Sequence, residues 1–223
     1  MKYNPITSVE IFNDLCEKIR KLELEPGARI SENEMAALYN VSRSTVRSAF
    51  SKLEQIDLIE IYPQIGTFIS PLNMNYVYDS LYIRNLVEMD VLEDVIKLED
   101  KTALIKRLKD TLIAQEQFRG NLDYDSKFEK IDHDFHYAIL DSVNRQSMIE
   151  ILKDSFIHIC RWRNFDIRCR KRIGSLIDEH SLLVQAIEQN DVKLAKETMK
   201  KHILNFNDEY FNQVKKDYPN YFK

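Results

Sequence analysis

The chain has 223 residues, of which 44% are hydrophobic and 30% are charged, and it contains only four glycines and five prolines. Because many-stranded sandwiches and barrels need frequent turn residues, this composition disfavours them and favours long helices, in one large domain or two modest ones. The net charge of −4 gives no bulk signal for nucleic-acid binding, and no stretch approaches the roughly 20 apolar residues of a membrane span. Three cysteines without a C-x-x-C pair indicate reduced thiols in a cytoplasmic protein.

The N-terminal third begins with three predicted helices. Apolar residues recur at helical spacing over residues 8–22, with Ser8 as a candidate N-cap. Ser31 and Glu34 have the spacing of a capping box at the start of a second helix. Ser42 then begins a third helix after a short turn.

A small hairpin is predicted to follow these helices. Residues 59–62 and 67–69 read as two short strands, and residues 63–66 form the tight turn between them. Three helices followed by a hairpin are the order of a winged helix-turn-helix.

The exposed side of the third predicted helix carries the chemistry of a DNA-reading element. Arg43 and Arg47 lie one turn apart, with Ser44 and Thr45 beside them at the helix N-terminus. Backbone N–H groups at a helix N-terminus bind phosphate, and arginine reads the O6/N7 edge of guanine through two hydrogen bonds. The alternative is a solvated helix start with two ordinary surface arginines. The turn before this helix and the hairpin after it favour DNA binding.

Residues 8–70 resemble the GntR family of bacterial transcription regulators, with the motifs in the expected order. The resemblance rests on Pro26-Gly27, Ser31-Glu32, Glu34-Met35-Ala36, Val41 to Arg47, Leu53, Leu58-Ile59 and Pro63 to Ile69. It implies a set of residues that enter the major groove, hold its phosphates or contact DNA more weakly from the second helix and the wing tip. These are Arg43, Ser44, Thr45, Arg47, Asn33 and Gly66.

The chain after Pro71 has no proline until Pro219 and is predicted to form an antiparallel helix bundle. About six helices are expected, at residues 76–98, 102–119, 126–143, 147–163, 175–189 and 192–216. We therefore expect a mostly α-helical protein, with a winged helix-turn-helix DNA-binding domain over residues 1–72 and an all-helical effector-binding and dimerisation domain over residues 73–223.

Three of the five histidines fall on predicted core faces of this bundle. His136 follows Asp132 by four residues along an apolar stripe, and His180 and His202 lie among apolar residues of two later helices. A single histidine on an apolar face is usually a hydrogen-bonded core residue, but a buried carboxylate is costly unless it is paired or binds a metal. Three histidines and an aspartate suit one divalent transition metal per chain, with Zn²⁺ favoured over Ni²⁺, Fe²⁺ or Mn²⁺.

The helical region is similar to the effector domain of the FadR-type branch of the GntR family. The similarity rests on Asp132-His133-Asp134-Phe135-His136, Glu179-His180 through Ala186-Ile187, Met199 to Ile203, and Arg84 to Glu88. It implies that the same aspartate and three histidines form a metal centre, whereas His133 and His158 are interpreted as non-ligands. Members of this branch commonly sense small organic acids, whose carboxylate completes the metal's coordination.

Two further residues are candidate effector contacts. Arg84 can bind such a carboxylate by a bidentate fork, and an ordinary ion pair with Glu88 at i+4 is an equal alternative. Asn144 ends its helix where the family often has asparagine, as a cap, a ligand contact or both. Arg161 and Arg163 are also within reach of a cavity, although the sequence does not orient them.

These features predict a ligand-responsive DNA-binding transcription regulator, interpreted as a repressor. The resemblance implies a homodimer, which would place two third helices on a palindromic operator in double-stranded DNA, and a bound effector would shift the domain arrangement. One alternative is a metal-dependent, hydrolase-like enzyme. A general base at a recognisable offset is missing from the sequence, so we expect no catalytic residues and no enzymatic activity. Another is a regulator whose metal is purely structural or is itself the effector.

Overall fold

The computed structural model describes residues 6–121, 126–151, 153–205 and 208–223. The chain divides into two compact units, of which the first comprises Met1–Met74 with Asp208–Lys223 and the second comprises Asn75–Asn207. None of the helices in the described ranges combines the length and the apolar character needed to cross a membrane. Helices dominate both units, so the predicted mostly α-helical class is confirmed.

The first unit contains the predicted winged helix-turn-helix. Its elements are α1 (Ser8–Arg20), β1 (Arg29–Ile30), α2 (Glu32–Tyr39), α3 (Arg43–Gln55), β2 (Ile59–Tyr62) and β3 (Gly66–Ile69). The strands form an antiparallel sheet in the order β1-β3-β2, and Tyr62 pairs with Gly66 across the wing turn. The strand β1 was not predicted, because two residues are too few to display an alternating pattern.

The packing of α1 against α3 fixes which side of α3 faces outward. The helix α1 is capped by Thr7 instead of Ser8, since the Thr7 hydroxyl accepts from the Glu10 backbone N–H and the Glu10 carboxylate accepts from the Thr7 backbone N–H. The two helices contact each other through their buried residues, which are Ile11, Leu15, Ile19, Val46, Ala49, Phe50 and Leu53. The opposite side of α3 therefore stays exposed.

The second unit is the predicted helical bundle. Its helices are α4 (Met74–Lys97), α5 (Thr102–Glu116), α6 (Ser126–Asp141), α7 (Ser147–Ile151), α8 (Lys153–Arg170), α9 (Ile173–Glu188) and α10 (Val192–Ile203). The predicted helix over residues 147–163 corresponds to α7 and α8, with residue 152 between them outside the described residues. The helix α5 contacts α6 and α9, and α9 also contacts α10, so these helices surround a common core.

The predicted single helix over residues 192–216 is wrong. The helix α10 ends at Ile203, and the next helix, α11, spans Asp208–Asp217. Between them, the Asn205 carbonyl accepts a hydrogen bond from Arg170 at 2.7 Å, and its side-chain amide donates to Glu179 at 3.3 Å. Tertiary hydrogen bonds thus replace the helical ones at this point, a competition that periodicity does not reveal.

The C-terminal segment Asp208–Lys223 belongs to the first unit, whereas the sequence pattern placed it with the helical domain. Leu72 and Phe222 form a parallel bridge, in which the Leu72 N–H donates to the Tyr221 carbonyl at 2.7 Å and the Lys223 N–H donates to the Leu72 carbonyl at 3.2 Å. Phe222 is buried and meets the Phe211 ring edge-to-face. The last residues therefore pack against the segment that follows β3.

Replacing Phe222 by alanine should destabilise the first unit by about 3 kcal/mol, because it removes a buried aromatic ring and leaves a cavity. Denaturant unfolding followed by circular dichroism measures this loss, while the fluorescence of the only tryptophan, Trp162, reports the second unit and should change little. The exposed neighbour Lys216→Ala should stay within about 0.5 kcal/mol of the wild type. Equal effects of the two substitutions would contradict the packing role of Phe222.

Candidate functional site

The candidate DNA-reading arginines lie on the exposed side of α3. The side chains of Arg43 and Arg47 are 62% and 66% exposed. Ser42 caps the helix by accepting from the Thr45 backbone N–H at 3.2 Å, and its hydroxyl lies 2.8 Å from those of both Ser44 and Thr45. This hydroxyl network orders the N-terminus of α3, where the sequence predicts binding of DNA phosphate.

A groove connects the start of α2, Arg43 and the wing turn, and Asn33 and Gly66 are among the residues that line it. Gly66 has φ +146°, and a Cβ there would lie 2.9 Å from the Arg29 Nε. The Arg29 guanidinium donates to the Ile65 carbonyl at 3.1 Å. Glycine therefore lets Arg29 approach and support the wing tip. The sequence pattern did not identify Arg29 as a supporting residue, because it lies on the short strand β1.

In the second unit, Asp132 and His136 on α6, His180 on α9 and His202 on α10 converge in the interior. One ligand atom from each lies within 4.8 Å of every other, and all four side chains are buried. The His202 Nε2 is 3.1 Å from the His136 Nε2 and 3.2 Å from the His180 Nε2. The Asp132 Oδ1 lies 3.6 Å from the His180 Nε2. The structure thus brings together all four residues that the sequence singled out as ligands.

Hydrogen bonds behind the rings determine which nitrogen faces the centre of this cluster. Each Nδ1 donates to the oxygen of a buried side chain: His136 to Glu88 at 2.6 Å, His180 to Gln115 at 2.8 Å, and His202 to Glu179 at 2.9 Å. A neutral ring that carries its proton on Nδ1 presents a lone pair at Nε2. Three lone pairs and a carboxylate therefore point at one another, an arrangement that suits a bound cation.

The protonation states of the cluster also suit a metal. Burial lowers the pKa of all three histidines, and lowers those of His180 and His202 well below the usual value. Burial alone would raise the pKa of Asp132, but the guanidinium of Arg163 outweighs it and holds the pKa low. Arg163 donates to Asp132 and also to the His202 Nε2 at 3.3 Å. Neutral imidazoles and an ionised carboxylate are the forms that bind metal.

A cavity of about 50 Å³ lies beside the cluster, which is room for a small ligand or a few water molecules. Its polar lining includes Arg84, Asp132, His136 and Arg163, and its apolar lining includes Leu140, Phe156 and Ile159. Arg84 is only 4% exposed; its Nε donates to Glu88 at 2.6 Å, and its guanidinium lies over the Phe156 ring at 5.6 Å. The ion pair considered for Arg84 therefore exists, and the same side chain lines the cavity.

The other candidates lie outside the cluster of four, although His133 also lines the cavity. Asn144 is exposed, has φ +59° in the turn after α6 and does not line the cavity, so the structure supports a role in ending the helix and not a ligand contact. His133 is exposed and stacks on Tyr137, whereas His158 is buried against Tyr76. Neither ring belongs to the convergent group. Arg161 is buried away from the cavity lining.

Sequence reasoning missed the residues that orient the ligands. The sequence indicates Glu88 only as a partner of Arg84, and it carries no signal for Gln115 and Glu179 as supports. Glu179 directly precedes His180, yet it supports His202 on another helix and is itself bound by Arg172 at 3.1 Å. Only the packing of the helices shows these pairings.

Two family models match the chain. The one described as bacterial regulatory proteins, gntR family, matches residues 7–69, and the FCD domain model matches residues 79–205. The first range contains the exposed arginines of α3, and the second contains the four convergent side chains.

The chain is similar to transcription regulators over most of its own length and theirs. An HTH-type regulator from an unstable DNA locus of Streptomyces ambofaciens is 30% identical over 195 residues, which is 87% of this chain and 80% of that protein. The HTH-type repressor RspR of Escherichia coli K12 is 28% identical over 208 residues, which is 90% of this chain and 88% of that protein. The solved structure of E. coli McbR/YncC shares the fold at 15% identity, with a TM-score of 0.67 over 93% of this chain and 98% of that chain. The chain belongs to the GntR family of bacterial transcription regulators, in the FadR-type branch that carries an FCD domain.

Proposed function

We propose that this regulator represses transcription by binding a palindromic operator as a homodimer, and that a small organic acid bound beside a divalent metal controls its affinity for DNA. The observation that carries the proposal is the convergence of three imidazole lone pairs and a carboxylate next to a cavity that contains a buried arginine. The name of the similar E. coli protein RspR, a repressor, supports the direction of control.

The metal would be held by Asp132, His136, His180 and His202, one ion per chain, with Zn²⁺ favoured for this ligand set. When bound, the ion would supply a Lewis acid that attracts a carboxylate oxygen. Glu88, Gln115 and Glu179 keep each imidazole in the tautomer that presents Nε2. Arg163 orients Asp132 by binding its Oδ2, while Oδ1 faces His180.

The effector would bind to Arg84. Among the described residues, the hydrogen bonding of this guanidinium is through Nε to Glu88, which leaves the two terminal nitrogens for a ligand carboxylate. The apolar side chains of Phe156 and Ile159 would cover the carbon skeleton of a small acid. Glu88 links the two parts of the site, since its other oxygen accepts from His136. A ligand at Arg84 is therefore coupled to the orientation of a metal-binding ring.

DNA recognition would reside in residues 1–72. Substituting both Arg43 and Arg47 by alanine should remove sequence-specific binding, because each bidentate contact to guanine contributes about 1–3 kcal/mol of discrimination. Fluorescence anisotropy with a duplex that the wild type enriches from a random pool measures the loss, and far-UV circular dichroism should be unchanged. Lys52→Ala removes one charge from the same helix and should preserve the preference. Specific binding by the double variant would contradict the assignment of α3.

Purified protein should contain close to one divalent ion per chain, measured by elemental analysis after reloading with ZnCl₂ and removal of excess ion. His180→Ala and His202→Ala should each lose most of it, since each removes a buried ligand atom. The exposed neighbour His133→Ala should keep it. A wild type that stays metal-free after reloading would contradict the metal centre.

A panel of small carboxylic acids should contain at least one that raises the melting temperature of the zinc-loaded protein, as any ligand specific for the folded state does. Arg84→Lys should weaken binding of that acid roughly 10-fold or more, because a charge-assisted bidentate contact contributes about 1.5–3 kcal/mol, and His202→Ala should abolish it. Asn144→Gly, outside the cavity, should bind as the wild type does. Stabilisation by zinc together with the absence of any acid hit would instead indicate a purely structural metal.

A further inference from the structure

A carboxylate from α2 contacts both candidate DNA-reading arginines of α3. Glu32, in the first turn of α2, accepts from the Arg47 Nε and Nη2, both at 2.9 Å. The same carboxylate lies 3.5 Å from the Arg43 Nη2. Its side chain is only 23% exposed, whereas both arginines are more than half exposed. One acidic group therefore joins the two helices of the helix-turn-helix at its DNA-facing side.

The contact between Glu32 and the two arginines contributes little to the stability of the folded unit. Ion pairs with well-exposed partners are screened by water and contribute little to the free energy of unfolding. The buried residues of α1 and α3 already hold the unit together without this ion pair. The consequence of the contact is instead to restrict the orientation of two flexible side chains.

The geometry of the Arg47 contact is side-on. Glu32 occupies the edge formed by Nε and Nη2, so the end of the guanidinium, with Nη1 and the second Nη2 hydrogen, stays directed away from the carboxylate. The end of the guanidinium can bind guanine O6 and N7 through two parallel hydrogen bonds. Arg47 can therefore keep Glu32 as its partner while it reads a base.

We propose that Glu32 is a specificity-determining positioning residue, which holds Arg47 and Arg43 ready for base edges and opposes their use as indiscriminate phosphate contacts. The inference rests on the proposed DNA-reading role of α3. Backbone phosphates attract any mobile cation regardless of sequence. A carboxylate beside two arginines reduces that attraction, and an arginine with a fixed orientation loses less conformational freedom when it contacts a base.

The same contact further favours the ionised form of the Glu32 carboxyl, which is already charged at neutral pH. The hydrogen bond from Arg47 is the main reason that the pKa of the Glu32 carboxyl lies below its ordinary value. The carboxylate is thus ionised throughout the neutral range, and its effect on the two arginines is a constant feature of the DNA-facing side.

The test compares two duplexes of equal length, one that the wild type enriches from a random pool and one with the same bases scrambled. Glu32→Ala should bind the scrambled duplex more tightly and the enriched duplex no more tightly. The dissociation constant for the scrambled duplex divided by that for the enriched duplex should therefore fall about 5-fold, the lower limit for one lost bidentate readout. The salt dependence of scrambled-duplex binding should increase by about one phosphate contact. Glu32→Gln keeps the shape and one acceptor and should give an intermediate ratio.

Glu34→Ala is the matched control. Glu34 lies on the same helix and is exposed, so its removal changes the charge equally but should shift both dissociation constants together and preserve the ratio. If Glu32→Ala or the isosteric Glu32→Gln retained the wild-type ratio as Glu34→Ala does, the proposed role of Glu32 would be overturned. A wild type that enriches no sequence at all would overturn the proposed DNA-reading function, and this inference with it.

Discussion

Three buried histidines can point their Nε2 lone pairs at one place only because each ring is anchored from behind by a hydrogen bond at Nδ1. The anchors come from α4, α5 and α9, whereas the ligands come from α6, α9 and α10. Because an unsatisfied polar group in the interior is costly, none of these helices can slide or rotate without losing either an anchor or a ligand. The packing of the helical unit is therefore tied to the geometry of a single point.

Arginines make this arrangement electrostatically tolerable. Each of three buried carboxylates near the cluster has its own arginine partner, in the pairs Glu88–Arg84, Glu179–Arg172 and Asp132–Arg163. With the histidines neutral, these three pairs carry no net charge among themselves. Under the proposed function, a divalent ion would add two positive charges to a balanced, poorly hydrated region. An anionic ligand beside it is then the natural means of restoring balance, which explains why a small carboxylate suits the adjoining cavity.

The sequence was sufficient to predict which four side chains converge, but not the residues that support them. Asp132 and His136 fall on one face because four residues make about one helical turn, and an apolar stripe shows that this face is buried. Gln115 carries no such signal, since its partner His180 lies 65 residues away and only helix packing brings the two together. The same limit applies to the end of α10, which Asn205 determines through tertiary hydrogen bonds. Local periodicity predicts faces, and contacts between helices decide what those faces meet.

The same pairing of arginine with glutamate has different consequences in the two units because the two ion pairs differ in their exposure to solvent. At Arg47, the guanidinium is 66% exposed and water screens its charge, so the contact with Glu32 orients the side chain while contributing little to the free energy of unfolding. At Arg84, both partners are buried, and separating them would leave an uncompensated charge in the interior at a cost of about 3–5 kcal/mol. A ligand carboxylate therefore cannot replace Glu88. Under the proposed function, a ligand carboxylate would bind the remaining guanidinium nitrogens, so the Arg84–Glu88–His136 connection would persist with the ligand bound.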